Sequence, residues 1–175
     1  MNYFRGKIRC LQICSTCTGV FTILALDHGG QYLGAGAAST DGIYGRVLVA
    51  KIQILAKLAS LASAVLLDSG YGLPDAVNGG ALPGQVGLLL SAEDGSYHDT
   101  WGQKSARVLD GWSVSKIKRA GAAAVKLFFS YHPDHQAAAA KLSSARSRPN
   151  AGNMICLCLP NLCCTASIPP IVQAW

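Results

Sequence analysis

A chain of 175 residues, half of them apolar, 14% charged and carrying a net charge of +6, is long enough for one domain and apolar enough to bury a core. Its Lys and Arg residues are scattered, with no basic stripe carrying interleaved aromatics, so no nucleic-acid partner is expected. The longest apolar stretch, Val47 to Leu67, is broken by Lys51 and Lys57 and reads as a helix followed by a strand rather than a membrane span. Arg5, Lys7 and Arg9 have no long apolar core or cleavage site behind them, so neither a leader nor a membrane anchor is expected, and a cytoplasmic location is.

Residues 1–18 are an N-terminal segment to which the sequence assigns no element. From Gly19 a regular pattern begins. Val20 to Leu26 is a short apolar run ending in Asp27-His28, the way a buried parallel strand delivers polar groups at its carboxyl end. A Gly-rich loop follows, then a helix from about Val47 to Ala59 with Val47, Leu48, Ile52, Leu55 and Leu58 on one side. Ala62 to Leu67 is a second strand, closed by Asp68 and a turn through Tyr71-Gly72-Leu73-Pro74. A third strand covers about Val86 to Leu90, with Glu93 and Asp94 after it. Trp112 to Ala120 reads as a short amphipathic helix stopped by Gly121, and Ala123 to Phe129 as a fourth strand, carrying Lys126 in its middle. Strands that alternate with helices or loops and end in polar groups predict an α/β fold of the (β/α) barrel type, with its chemistry at the carboxyl ends of the strands.

Four strands do not close an eight-stranded barrel. The expected fold is therefore an incomplete TIM (β/α)8 barrel of about the first four βα units over residues 19–135. Beyond about Gln136 the text turns to alanine repeats, Ser-Ser-Ala-Arg-Ser-Arg-Pro and a Cys- and Pro-rich end, so residues 136–175 are expected to form an irregular, poorly structured tail. Seven cysteines sit only at the two ends, at positions 10, 14, 17, 156, 158, 163 and 164. Cys14-x-x-Cys17 could open a zinc site, but the adjacent pair Cys163-Cys164 is poor spacing for its other half, and an odd count does not close a disulfide framework. Free thiols, no metal and no cofactor are expected.

The segments Phe21-Thr-Ile-Leu-Ala-Leu-Asp27-His28, Ala62-Ser-Ala-Val-Leu-Leu-Asp68-x-x-Tyr71-Gly72-Leu73-Pro74, Gly87-Leu-Leu-Leu and Trp112-Ser-Val-x-Lys116-Ile117-Lys118-x-x-Gly121-Ala-x-Ala-Val-Lys126 resemble, in order, the tagatose 1,6-bisphosphate aldolase family, which includes relatives acting on sulfofructose phosphate. The resemblance spans about Gly19 to Asp134 and implies a metal-free class I aldolase that cleaves a ketose phosphate through a lysine Schiff base on a TIM barrel. It implies that Asp27 is the carboxylate closing the first strand and that Lys126 is the auxiliary lysine of the fourth. The imine-forming lysine of the family belongs to a sixth strand, which the chain is expected not to reach, and a glutamate of the fifth strand has no counterpart as translated. Gly29 stands where the family often has arginine. After the fourth helix the family runs roughly C-R-x-x-D-I/M-P-L-x-x-E-P-x-x-Y. An alternative frame across Asn150 to Thr165 can encode ECRKHDMPLPSEPVLY, restoring that glutamate at the codons of Pro160 and Asn161. The tail is therefore expected to have left its ancestral frame near residues 136 to 140.

A class I aldolase needs an amine that is unprotonated often enough to attack a ketone, and acid–base groups to carry protons through the carbinolamine. Burial and a neighbouring ammonium both lower a lysine pKa. On chemistry alone Lys126 would be the nucleophile; the resemblance moves it to proton transfer and electrostatic support. A structural lysine that snorkels is the plainer alternative. Asp27 and Lys126 are the catalytic candidates, His28 and Asp68 the substrate-binding ones, although Asp68 equally reads as a strand-end carboxylate bonding loop amides. Glu93 and Asp94 read as paired carboxylates or simply as a loop before Gly95. Lys116, Lys118 and Arg119 read as a solvated helix face, and Gly34-x-Gly36, lacking the third glycine of a dinucleotide fingerprint, as a loop. The chain as translated is expected to turn over no substrate. The rival reading is a non-catalytic half-barrel that binds or self-associates through unpaired strand edges.

Overall fold

The computed structural model describes residues 2–28, 40–70, 72–93, 109–127 and 155–158. Helix α1 (Asn2–Cys14) precedes β1 (Ile23–Leu26); α2 (Thr40–Leu58) runs on into a 3-10 turn over Ala59–Leu61 before β2 (Ala64–Asp68). Then come α3 (Gly72–Asn78), β3 (Gly87–Ser91), α4 (Val114–Arg119), β4 (Ala124–Leu127) and β5 (Ile155–Cys158). All five strands pair in parallel in the order β1-β2-β3-β4-β5. Sequential parallel strands joined by helices are the expected βα arrangement, and no helix among the described residues is long and apolar enough to cross a membrane.

Alternation along the strands separates two cores. Val65, Leu67, Leu88, Leu90 and Val125 pack with Leu55, Ala59, Leu73, Ala76 and Ile117 of the helical layer. The opposite face, through Ala64, Leu66, Leu89 and Ala124, forms a second cluster with Cys14 of α1. Ser113 caps α4 by accepting from the Lys116 amide at 3.2 Å, and Gly121 ends it at φ 89°, a conformation that glycine adopts without strain.

Four differences from the sequence-based expectation have physical causes. Residues 1–18, left without an element, contain α1. Its end is tied to the sheet by Ser63 Oγ donating to the Cys14 carbonyl at 2.7 Å, and a Cβ at Gly87 would stand 2.7 Å from the Ile13 carbonyl oxygen. Helix α2 starts at Thr40 rather than near Val47, its onset hidden by Gly42 and Gly45, each worth about 1 kcal/mol against helix. The turn expected through Pro74 is the opening of α3, whose first turn tolerates a proline because its amides have no intrahelical acceptor. Finally, the segment expected to be irregular contributes β5, paired along β4 from Ala124↔Ile155 to Leu127↔Cys158. An apolar Ile-Cys-Leu-Cys run is enough to fill the hydrogen-bonding edge that β4 otherwise leaves open.

Candidate active site

The register places four polar residues in one row across the carboxyl ends of the strands. Leu26 is level with Leu67, so Asp27 is level with Asp68; Asp68 is paired with Ser91, and Ser91 with Lys126. Side chains on one face recur every second residue, so Glu93, two beyond Ser91, reaches toward the same side. The row is backed by hydrogen bonds: the Ala92 amide donates to the Lys126 carbonyl at 2.9 Å, and Ser69 Oγ donates to the Ser91 carbonyl.

Lys126 is the centre of the site. It is 8% exposed, and its Nζ donates to Asp27 Oδ2 at 2.8 Å and to Glu93 Oε1. Both carboxylates are themselves largely withdrawn from solvent, at 12% and 6% side-chain exposure. Burial by itself pushes the lysine pKa down, but the hydrogen bonds and charges of Asp27 and Glu93 outweigh it and hold the amine above its ordinary 10.5. Lys126 is therefore an ammonium at neutral pH, able to give a proton or balance a developing anion rather than to attack a carbonyl.

Asp68, one strand from Asp27, is 7% exposed. Its Oδ2 accepts from Lys51 Nζ at 2.6 Å and its Oδ1 from the Gly72 amide at 3.0 Å, so this carboxylate grips both the helix before β2 and the helix after it. His28 follows Asp27 and is exposed at the mouth of the row. Lys116 lies on the surface of α4, where Nζ bonds the Gly111 carbonyl at 2.9 Å and stacks 4.4 Å over the Trp112 ring. Lys118 and Arg119 are exposed as well. Asp94 and the Gly34-x-Gly36 segment lie outside the described residues. Among the described residues no three His, Cys, Asp or Glu side chains converge as a metal-ligand set. Burial pushes the Cys14 thiol up to about 11, with Cys10 adding to the effect, so this thiol is a packing group.

Two residues of the site are not among the catalytic or binding candidates of the sequence: Glu93, read there as one of a carboxylate pair or as a loop residue, and Lys51. Glu93 had a signal: it continues the every-second-residue face of β3 past the strand end. Lys51 had one too, since it stands four residues before the buried Leu55 and four after Val47, a lysine on an apolar stripe.

Over residues 21–156 the chain matches the DeoC/LacD family aldolase. The chain belongs to this family. It is 33% identical over 130 residues to the tagatose 1,6-diphosphate aldolase of Lactococcus lactis subsp. lactis, a match covering 73% of this chain and 39% of that protein. It is 32% identical over 136 residues to the tagatose 1,6-diphosphate aldolase of Streptococcus agalactiae serotype V, covering 77% and 41%. The tagatose 1,6-diphosphate aldolase of Streptococcus pneumoniae is 33% identical over 126 residues, covering 71% and 38%. The chain thus spans about two fifths of the length of the curated relatives it matches. The aldolase family and the parallel sheet agree with the resemblance drawn from the motifs.

Proposed function

We propose that this chain carries the proton-handling part of a class I aldolase site that cleaves a ketose phosphate such as tagatose 1,6-bisphosphate into dihydroxyacetone phosphate and an aldehyde. One observation carries the reading: a buried ammonium held by two carboxylates at the carboxyl ends of strands of one parallel sheet, in a chain of an aldolase family. In such a reaction an amine adds to the ketone, the carbinolamine loses water to give an imine, and a base removes the proton of the C4 hydroxyl. The C3–C4 bond then breaks, the aldehyde leaves and the bonding electrons pass into an enamine. Lys126 supplies the proton that lets the carbinolamine hydroxyl depart as water. Asp27 and Glu93 take protons back and keep the lysine charged between turnovers. The resemblance gives the imine-forming amine to a different lysine, on a later strand of the barrel, and the ammonium state of Lys126 supports that division of roles.

The test is borohydride reduction of the chain in the presence of tagatose 1,6-bisphosphate, followed by peptide mass spectrometry. No reduced adduct is expected on Lys126, and no turnover. In a chimera that continues residues 19–127 with the later strands of the Lactococcus lactis relative, the adduct is expected on a lysine of the added part, and Lys126→Met is expected to lower kcat by about 10²- to 10⁴-fold. An adduct on Lys126 itself overturns the assignment.

A second reading is supported by the β1 edge, where Val20, Phe21 and Ile23 are exposed at 54%, 46% and 37%. Among the described residues β1 has a strand neighbour on one side only. An apolar, open edge favours association with a second copy of the chain. Light scattering decides it: a mass twice that of the chain supports self-association, and a monomer at high concentration rejects it.

A further inference from the structure

The ion pair between Lys51 and Asp68 plays no part in the chemistry just described, yet it stands in the same row of residues. Asp68 is one strand from Asp27 and two from Lys126, in a row that brings Lys126 Nζ and Asp27 Oδ2, three strands apart, to 2.8 Å of each other. Both partners are withdrawn from water, with side chains 9% and 10% exposed. A third carboxylate in the row of a buried site acts on the other charges through low dielectric. Without a partner it would compete with Asp27 and Glu93 for the one ammonium between them. Asp68 is also fixed in place: Oδ1 takes the Gly72 amide, and a Cβ at Gly72 would come 2.8 Å from Oδ2. Its charge is therefore cancelled from the far side, by a lysine on the apolar stripe of α2.

Resting on the aldolase reading of the Lys126 cluster, we propose that Lys51 and Asp68 are positioning residues: their pair cancels a carboxylate charge in the site row and so reserves the Lys126 ammonium for Asp27 and Glu93. Neither need touch substrate. Among the described residues, the charged groups facing Lys126 include Asp27 from the end of β1 and Glu93 beyond β3; Asp68 of β2, with Lys51 of α2 behind it, is a further charge in the row, and exposed His28 follows Asp27.

Charge and packing predict different signs, which makes the idea testable in the chain itself. The measurement is competitive labelling with trace acetic anhydride at pH 9, reading the rate at Lys126 relative to exposed Lys116 and Lys118 by mass spectrometry. In Lys51→Met the uncancelled Asp68 charge is expected to hold Lys126 protonated more firmly and slow its labelling by about threefold to tenfold. In Asp68→Asn, which keeps the acceptor for the Gly72 amide, the uncancelled Lys51 charge is expected to speed it by a similar factor. The double variant Lys51→Met/Asp68→Asn is expected to return to the original rate, and it keeps the test alive if Lys51→Met alone does not fold, because then it must still match the wild type while Asp68→Asn does not. A purely structural pair gives faster labelling in both single variants, through loosening, and that result overturns the proposal. The wild-type rate is a separate control: if Lys126 already reacts faster than Lys116, the ammonium reading of the cluster fails, whatever the variants do.

Discussion

Lys126 Nζ and Asp27 Oδ2 meet at 2.8 Å although 99 residues separate them in the chain. The register of one parallel sheet brings the carboxyl ends of β1 and β4 level, and because the two strands stand three apart, a contact this short also requires the sheet to curve toward the side that carries both side chains. Glu93 completes the arrangement from the segment after β3, and the family to which the chain belongs gives that cluster its chemical context.

The cluster has a stability signature. Because the folded protein raises the Lys126 pKa above 10.5, the ammonium form binds its proton more tightly folded than unfolded. Its contribution is therefore fully present below about pH 10.5 and disappears as pH rises through the higher folded value. Urea unfolding measured from pH 8 to 12 is expected to show a loss above pH 10.5 in the wild type that is missing in Lys126→Met; equal pH profiles would refute it.

Lys126→Met is also expected to be destabilised at pH 7, by about 3 kcal/mol, since it leaves Asp27 and Glu93 as buried carboxylates without their cation. The triple change with Asp27→Asn and Glu93→Gln is expected to recover much of that loss. Chemical denaturation at pH 7 checks both expectations, and a triple variant no better than the single one contradicts the account.

Helix α1 is predicted to be an integral part of the sheet's amino-terminal end. Gly87→Ala forces a methyl against the Ile13 carbonyl and Cys14 and is expected to cost about 1–3 kcal/mol. A thiol reagent reports the local effect: in the native chain exposed Cys17 reacts quickly and buried Cys14 slowly, and Gly87→Ala speeds Cys14 selectively. Unchanged Cys14 kinetics in a destabilised variant would place the damage elsewhere.

The helical layer rests on a few large side chains. Leu67 and Ile117 are both fully buried in the same cluster, so Leu67→Ala and Ile117→Ala are each expected to lose about 2–5 kcal/mol. Because they share that core, the double variant is expected to deviate from the sum of the single losses. Strict additivity would show that the two do not pack together as described.

Local rules in the chain already determined the four strands, their parallel direction, the stop at Gly121, the placing of Asp27 and Asp68 at strand ends and that of Lys126 on the fourth strand. Apolar runs of four to six residues closed by polar groups need no distant partner to be recognised. The motifs likewise carried the family. What the sequence left open depended on contacts between distant residues. That Lys126 Nζ sits between Asp27 and Glu93, whose combined pull exceeds the burial penalty and holds its pKa above 10.5, is set by the fold. The contacts of Lys51 and Glu93, the docking of α1 on Gly87 and the pairing of β5 with β4 follow from the lateral register of the sheet and the packing around it. Electrostatics and hydrogen bonding act through space, so a residue's charge state belongs to its neighbours in the fold rather than to its neighbours in the chain.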